Sequence, residues 1–221
     1  IVAQAYREVF SYFEDAIYRR FDLPVRHFLL DLAPFERFDL EMARMVSGDP
    51  RTGNLLDWLL HNTTMLRYDD VRHFHFWPQF RAFLLWEMEK ECSEEKRRAV
   101  FSRGALYYEL KEDYAHALEC YTKSGDHAKI SELLIRNSEL HPGMGHYSEM
   151  EKYYRALPES EILASPSLMQ GMSMLCALAM DYEGSERWYG ALKNFADCRK
   201  KQDPAALRGW IFPCRSAVWR G

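Results

Sequence analysis

The sequence has few of the residues that interrupt helices, and it lacks the common catalytic and phosphate-binding motifs. It contains 11 glycines and 9 prolines in 221 residues, and G-x-x-x-x-G-K-[ST], G-x-S-x-G and H-E-x-x-H do not occur in it. A P-loop within the chain is therefore excluded. An α-helical hydrolase, the enzyme alternative, would need a convergent polar pocket, but the sequence shows neither a catalytic triad nor a set of metal ligands. We expect this chain to catalyse no reaction by itself.

Cysteine is scarce and scattered, and long apolar runs are missing. The five cysteines form no C-x-x-C pair, which argues against a zinc site or a disulfide framework. Cys176 lies in an apolar helical pattern, where a buried and inert thiol is expected. No apolar run approaches the roughly 18 to 20 residues that span a bilayer. We predict a cytoplasmic protein with no membrane partner. Because the chain begins at Ile1 without a methionine or a signal segment, we also expect it to be a piece of a longer protein.

Apolar residues recur every three or four positions between the few breaks, which is the helical period and predicts a mainly α fold. A leading helix is predicted with an apolar face formed by Tyr6, Val9, Phe10, Phe13 and Ile17. Prolines and a Ser-Gly-Asp-Pro turn then separate helices at about 25–33, 39–47 and 52–63. Residues 65–68 and 71–76 flank two aspartates and predict a β-hairpin, after which Pro78 begins another helix. Three helices followed by a hairpin form the winged-helix pattern.

Charge argues against DNA binding by this winged helix. The chain has 29 Lys and Arg against 33 Asp and Glu, and all of its net charge of -4 falls in residues 1–91. Residues 52–61, in the third helix, carry no Lys or Arg, so they can neither neutralise phosphates nor read guanine edges. We expect a domain that faces protein and makes no direct contact with nucleic acid, with DNA binding as the alternative.

Strand alternation places Phe74 and Phe76 on one side of the hairpin and His73 and His75 on the other. The two histidines could chelate a metal from one strand face, but no carboxylate or cysteine partner is placed by the sequence, so solvent-facing histidines are the alternative. In the following helix, Glu87, Glu89 and Glu91 beside Lys90 predict a solvated face.

A sequence motif, here called the Asp-Tyr phrase, recurs in the second part of the chain. Asp113-Tyr114, His146-Tyr147 and Asp181-Tyr182 are each followed, seven positions after the tyrosine, by another tyrosine. A period of about 34 residues with paired helices is typical of tetratricopeptide-type repeats. The clearest unit is 101–124, where small residues such as Gly104 are expected to let the two helices approach closely. Further units are predicted at about 128–157 and 166–200, with an incomplete one at 204–221. We therefore predict a winged-helix domain with a leading helix at 1–91 and tetratricopeptide-like repeats forming an α-superhelix at 92–221.

The order of these parts resembles the central section of the MalT-like LuxR-family regulators, which are ATP-dependent transcriptional regulators of the signal-transduction ATPase class. The likeness covers nearly all of the chain and is carried by these segments: Arg26-His27-Phe28-Leu29-Leu30 with Leu32, Phe38 to Gly48, Leu55-Leu56-Asp57-Trp58-Leu59, Thr64 to Asp70, Phe76 to Leu84, Arg97-Arg98-Ala99, Ala115-His116-Ala117-Leu118 and Leu157-Pro158. The resemblance implies a nucleotide-binding domain before this chain and a DNA-binding helix-turn-helix after it. ATP or ADP with magnesium is thus implied for the parent, and no cofactor is expected in this chain.

One position departs from the family. The family typically has a histidine where this chain has Trp77, and in related ATPases that winged-helix histidine contacts the phosphates of bound ADP. An indole N–H donates one hydrogen bond but cannot become cationic. The resemblance therefore implies weaker or different nucleotide sensing at Trp77, with His73 and His75 as the nearby substitutes. The alternative is that Trp77 simply packs beneath the hairpin.

The predicted function is that of a regulatory or sensor segment, in which a small inducer or a peptide bound on the repeats acts on the nucleotide-binding and DNA-binding domains of the parent. Helix A residues line the concave face of such repeats, so Tyr107, Tyr108, Met172 and Met174 are the candidate ligand-surface positions. The alternative is an autonomous tetratricopeptide-like scaffold that binds proteins.

Overall fold

The computed structural model describes residues 8–140 and 144–202, except for the side chains of residues 139–140, 144–146 and 199–202. The predicted incomplete repeat at 204–221, and Tyr6 of the leading helix, lie outside the described residues. The chain divides into two compact units, Ile1–Asp126 and His127–Gly221. The structure confirms a mainly helical fold with one β-hairpin. Within the described part, no helix is both long enough and apolar enough to cross a bilayer.

The first unit contains the predicted winged-helix elements in the predicted order. Prolines in the first turn begin two of the helices, and Gly48, with φ 65°, ends α2 in the left-handed conformation that glycine adopts without strain. The elements are α1 (Leu23–Leu32), α2 (Leu40–Ser47), α3 (Thr52–Asn62), β1 (Leu66–Tyr68), β2 (Phe74–Phe76) and α4 (Pro78–Glu91).

The leading segment differs from the regular helix that was predicted. Residues 8–12 are helical, and they continue as a π-helical stretch, Phe13–Ile17, and a 3-10 turn, Tyr18–Arg20. A π turn holds more residues than an α turn, so the buried face moves along the chain. Tyr18, rather than the predicted Ile17, becomes buried, and its hydroxyl donates to Glu91 Oε2 at 3.0 Å.

A third segment pairs with the hairpin, which was not predicted. β1 and β2 are antiparallel, with Leu66 opposite Phe76 and Tyr68 opposite Phe74. On the other edge of β2, Phe38 pairs with Phe74 through two backbone hydrogen bonds of 2.7 and 3.1 Å. The chain between α1 and α2 thus contributes a single-residue third strand, and the short segment Phe35–Asp39 is fixed against the wing.

The prediction that the second strand begins at residue 71 is wrong. Asp69 Oδ1 accepts hydrogen bonds from the backbone N–H groups of Val71, at 3.0 Å, and His73, at 2.8 Å. Arg72 takes a positive φ of 66°. These side-chain bonds hold residues 69–73 in a turn, as aspartate side chains commonly do, so pairing starts only at Phe74. As predicted, Phe74 and Phe76 are buried and His75 lies on the other side of the strand, whereas His73 precedes the strand and belongs to the turn.

The first helical hairpin belongs to the same compact unit as the winged helix. It consists of α5 (Glu94–Leu110) and α6 (Tyr114–Ser124). α5 packs on α2, and a Cβ at Gly104 would lie 2.3 Å from two ring atoms of Phe35. The close approach predicted at Gly104 exists, but the group that needs the space is a winged-helix phenyl ring and not the partner helix. The domain boundary at residue 91 stays a prediction.

The second unit consists of further packed helices. They are α7 (His127–Leu140), α8 (Met144–Ala156), the short α9 (Glu159–Ala164), α10 (Pro166–Leu178) and α11 (Tyr182–Gln202). α10 packs against α8 and α11. A Cβ at Gly171 would lie 2.5 Å from the ring of Tyr154, so this glycine admits one of the recurring tyrosines. The described helices fit the predicted helical repeat.

The recurring Asp-Tyr phrase marks a specific turn between paired helices. Asp113 and Asp181 follow residues of positive φ, Glu112 at 60° and Met180 at 59°. The N–H of each aspartate bonds back five residues, to Tyr108 O at 2.9 Å and to Cys176 O at 2.8 Å. Each carboxylate then accepts a backbone N–H from the first turn of the next helix. The phrase therefore ends one helix with a Schellman-type turn and caps the next.

Glu87 corrects the prediction of a solvated acidic face on α4. Its side chain is only 1% exposed, whereas the side chain of Glu89 is 71% exposed. Lys90 Nζ lies 3.2 Å from Glu87 Oε1, and burial raises the pKa of the Glu87 carboxyl in spite of this lysine. The apolar spacing of α4 gave no sign of this, because a buried glutamate resembles an exposed one in sequence.

The raised pKa of Glu87 predicts a pH dependence of stability. A carboxyl with a higher pKa in the folded state contributes stability below its unfolded pKa of about 4.5 and loses that contribution as pH rises through the folded value. We expect Glu87→Gln to remove this loss, so that the variant gains stability relative to wild type between pH 4.5 and 8. Urea unfolding at several pH values measures the difference, with Glu89→Gln as the control that should show little trend. A Glu87→Gln difference that does not change with pH would contradict the expectation.

Candidate functional site

Two cavities adjoin in the first unit and share Glu36, Arg37 and Arg81 in their linings. The smaller, of about 300 Å³, lies at the start of α4, where His75, Phe76 and Pro78 complete its wall. The larger, of about 690 Å³, lies where the winged helix meets the first helical hairpin. Three of the seven predicted site residues, His73, Tyr107 and Tyr108, line the larger cavity.

Arg81 is held firmly between the two cavities. Its Nε donates to Ala33 O at 2.9 Å and its Nη2 donates to Pro34 O at 2.9 Å. Both carbonyls follow the end of α1, where a cation is favoured by the helix dipole. No carboxylate among the described residues lies within ion-pair distance of Arg81, so its positive charge is not neutralised by a neighbour. Arg37, by contrast, lies 3.6 Å from Asp69 Oδ2.

The N-terminus of α4 borders the smaller cavity through Pro78. The partial positive charge at a helix N-terminus favours the binding of an anion. Trp77 occupies the capping position without a side-chain hydrogen bond to the helix, and Pro78 has no N–H to donate. The first turn of α4 therefore lacks a side-chain cap, and Pro78 lines the same cavity as Arg37 and Arg81. Uncapped helix N-termini and arginine side chains are the groups that proteins use for phosphate and carboxylate oxygens.

The predicted nucleotide-sensing positions fall at different places. Trp77 is exposed and lines neither cavity, and its backbone N–H donates to Met65 O at 2.8 Å. The Trp77 residue is 38% exposed, so most of it is covered by the protein, and packing beneath the hairpin stays a prediction. His75 lines the smaller cavity and His73 the larger one. The Nδ1 atoms of both histidines are buried and have no hydrogen-bond partner within the described part of the chain.

The aromatic side chains of the hairpin form one wall of the larger cavity. The rings of Tyr107 and Tyr108 meet edge to face at 5.5 Å, and Tyr108 stacks on the imidazole of His116 at 5.0 Å. Tyr107 is largely buried, and its hydroxyl donates to Asp39 Oδ2 at 2.7 Å. The Tyr108 hydroxyl has no protein partner among the described residues. Burial raises the pKa of Tyr108 to about 12, so the phenol stays protonated at neutral pH.

Asp39 joins the two walls of the larger cavity. Its Oδ1 accepts from the Met42 N–H at 2.7 Å and so caps α2, while Oδ2 receives the Tyr107 hydroxyl. Lys111 of the hairpin also pairs with Glu41 of α2, at 2.6 Å. One carboxylate thus caps a helix of the winged helix and also holds the hydroxyl of a tyrosine in the first helical hairpin.

The remaining candidates lie elsewhere. Met172 is buried and Met174 is half-buried in α10, in the second unit. No group of three or more potential metal ligands occurs within the described residues, so the two wing histidines gain no partners for a metal. Cys92, Cys120 and Cys176 are buried free thiols. Burial raises the pKa of Cys120 to about 11, so this thiol of the cavity wall is not a nucleophile at neutral pH.

Sequence reasoning missed Arg37, Arg81 and Glu36. Arginine three residues into a helix that starts with proline is ordinary, and the contacts that hold Arg81 reach 47 and 48 residues back along the chain. One sequence signal could have identified the two arginines: Arg37 precedes the hairpin, Arg81 follows it, and the helix that carries Arg81 begins with a proline and has no capping side chain.

Comparison with known proteins agrees with the fold of the first unit. No curated protein matches the chain. Residues 14–96, which run from the π-helical stretch to the start of α5, match the family model described as the MalT winged helix domain. This part of the chain is therefore a winged-helix domain that is similar to the winged helix of MalT.

Proposed function

We propose that this chain is a non-catalytic regulatory segment of a LuxR-family transcriptional regulator. Binding of a ligand or partner at its helical hairpins is coupled to a nucleotide switch and a DNA-binding domain outside the chain. The observation that carries the proposal is the junction of a MalT-type winged helix with the first helical hairpin, where Tyr107 bonds to Asp39 beside a cavity of about 690 Å³. A ligand that contacts both walls changes the free energy of that junction, which is how binding biases a conformational equilibrium.

The nucleotide side of the proposed switch rests on the smaller cavity. Arg37, Arg81 and His75 surround the uncapped start of α4, and this set suits the phosphate oxygens of a nucleotide bound by a preceding domain. ATP or ADP with magnesium supplies the charge to which these groups respond. Trp77 offers no cationic group, so the arginines take the part that the family gives to a histidine.

The surface of α3 supports a function without direct DNA contact. Its exposed side chains include Asn54, Asp57, Trp58 and His61. The helix has one carboxylate, which repels a phosphate backbone, and it has no lysine or arginine to neutralise one. The helix that reads DNA in many winged-helix proteins is therefore proposed here as a protein-facing surface.

A thermal-unfolding screen of the 221-residue chain tests the proposal. Sugars, nucleotides, amino acids and short peptides are added separately, and at least one class is expected to raise the midpoint because a ligand that binds only the folded state stabilises it. Tyr108→Ala should abolish the shift, while Tyr182→Ala, at an exposed tyrosine of the second unit, should retain it. The proposal would be contradicted if no compound raised the unfolding midpoint, or if the chain bound duplex DNA tightly and in a salt-dependent manner.

A further inference from the structure

Charge pairing in the larger cavity leaves two charged side chains unmatched. Most of the charged groups in its lining already have partners within hydrogen-bond or ion-pair distance: Asp39 with Tyr107, Asp113 with His116, Glu119 with Lys123, Lys111 with Glu41, and Arg37 with Asp69. Arg81 and Glu36 are the exceptions among the described residues. Arg81 contacts only backbone carbonyls, and Glu36 forms no ion pair.

The two unmatched groups belong to the linings of the same cavities. Glu36 and Arg81 line both cavities, so they mark the boundary that the cavities share. Glu36 is exposed and therefore accessible from solvent, whereas Arg81 is half-buried and immobilised by its two carbonyl bonds. One fixed cation and one free anion that line the same two cavities without pairing with each other suit a ligand that carries both charges.

The wall next to this pair is aromatic. Phe101, Tyr107 and Tyr108 line the larger cavity, and no described residue forms a hydrogen bond with the Tyr108 hydroxyl. Planar and aliphatic side chains pack favourably on such rings. An unmatched pair of opposite charges beside an aromatic chamber has the chemistry that recognises an α-amino acid.

We propose that the larger cavity binds a free α-amino acid with an apolar or aromatic side chain, its carboxylate on Arg81, its ammonium on Glu36 and its side chain against Tyr108. This inference rests on the proposed sensor function and names the ligand class of that site. Because Arg81 also lines the smaller cavity, the ligand carboxylate and a nucleotide phosphate would draw on the same guanidinium. Amino-acid binding therefore lowers the affinity of the winged helix for phosphate. By the same coupling, bound phosphate lowers the affinity of the cavity for the amino acid.

The test compares phenylalanine with analogues that lack one charge, on the intact 221-residue chain by calorimetry and thermal shift. Phenylalanine or leucine is expected to bind, whereas phenethylamine, which lacks the carboxylate, and 3-phenylpropionate, which lacks the ammonium, should bind about tenfold or more weakly. Glu36→Gln should weaken phenylalanine by a similar factor without affecting the fold, since Glu36 is exposed and unpaired. Glu95→Gln, at an exposed glutamate outside the cavity, is the matched control and should bind like wild type.

The results distinguish a failure of the amino-acid site from a failure of the proposed sensor function. Binding that needs both ligand charges and is lost in Glu36→Gln supports both of them. If sugars or nucleotides bind and amino acids do not, the sensor function stands and the amino-acid site is refuted. Phenylalanine binding that is unaffected by Glu36→Gln also refutes the site. If no compound binds, both proposals fail.

Discussion

Replacing Gly104 by alanine is expected to destabilise the first unit by about 1–3 kcal/mol, the usual range for overpacking a filled core. The new Cβ would lie 2.3 Å from Cε1 and Cζ of Phe35, far inside van der Waals contact. Phe35 is itself buried and packs against Phe101, so its ring has little room to move. This direction opposes helix propensity, which favours alanine over glycine by about 1 kcal/mol in a helix interior.

A matched glycine in the same unit provides the control. Gly53 lies in α3, where an added Cβ would meet its nearest atoms only at 3.8 and 4.0 Å. Gly53→Ala is therefore expected to leave the free energy of unfolding unchanged or to raise it slightly. Urea unfolding followed by tryptophan fluorescence measures both variants, and Phe35→Leu should recover part of the loss in Gly104→Ala. Equal stabilities for the two alanine variants would show that Phe35 does not pack on α5 as described.

The second large effect is expected at Asp39, where Asp39→Ala should cost about 2–4 kcal/mol. Loss of a helix N-cap typically costs about 1 kcal/mol. Loss of the carboxylate also leaves the largely buried Tyr107 hydroxyl without its acceptor, which typically costs about 1–3 kcal/mol. The change removes two bonds of 2.7 Å, one to Met42 N–H and one to Tyr107.

Asp113→Ala separates the two contributions, because Asp113 caps α6 through a longer bond of 3.3 Å and receives no tyrosine hydroxyl from the described residues. Its other side-chain partner is the exposed His116, at 2.7 Å. It should cost about 1 kcal/mol. A double-mutant cycle of Asp39→Ala with Tyr107→Phe should give a coupling energy of about 1 kcal/mol or more, as directly bonded groups do. Additive effects would mean that the carboxylate serves only as a cap and does not join the hairpin to the winged helix.

Local sequence signals were sufficient for the elements of the winged helix but not for all of their pairing. Prolines, the capping residues and the helical period gave the helices to within a few residues, because these signals act over one or two turns. The strand contribution of Phe38 was missed because its partner, Phe74, is 36 positions away and a single paired residue leaves no alternating pattern. Asp69 shortened the second strand through bonds of its own side chain, which the alternation of apolar residues does not reveal.

The candidate site was predictable only in part, for a similar reason. Tyr107 and Tyr108 were identified because helix A positions of a repeat lie on one face, and both line the larger cavity. The Tyr107 hydroxyl is bonded to Asp39, whereas the Tyr108 hydroxyl has no hydrogen-bond partner among the described residues. This difference depends on a contact between residues 68 positions apart. Arg81 and Glu36 acquire their importance from which charges in the cavity are already paired, and pairing is a property of the folded chain.

Hydrogen exchange of the backbone amides tests most directly whether the first helical hairpin and the winged helix form one structural unit with a cavity between them. Amides of α2 and of α5 are expected to exchange through the same opening, with equal free energies and equal denaturant dependence, because segments of one cooperative unit open together. Gly104→Ala should lower both free energies by the same amount. The contradicting result is that α5 and α6 open at a clearly lower free energy than α2 and that the substitution changes only the hairpin. The two parts would then be independent, and ligand binding in the cavity could not be coupled to the winged helix.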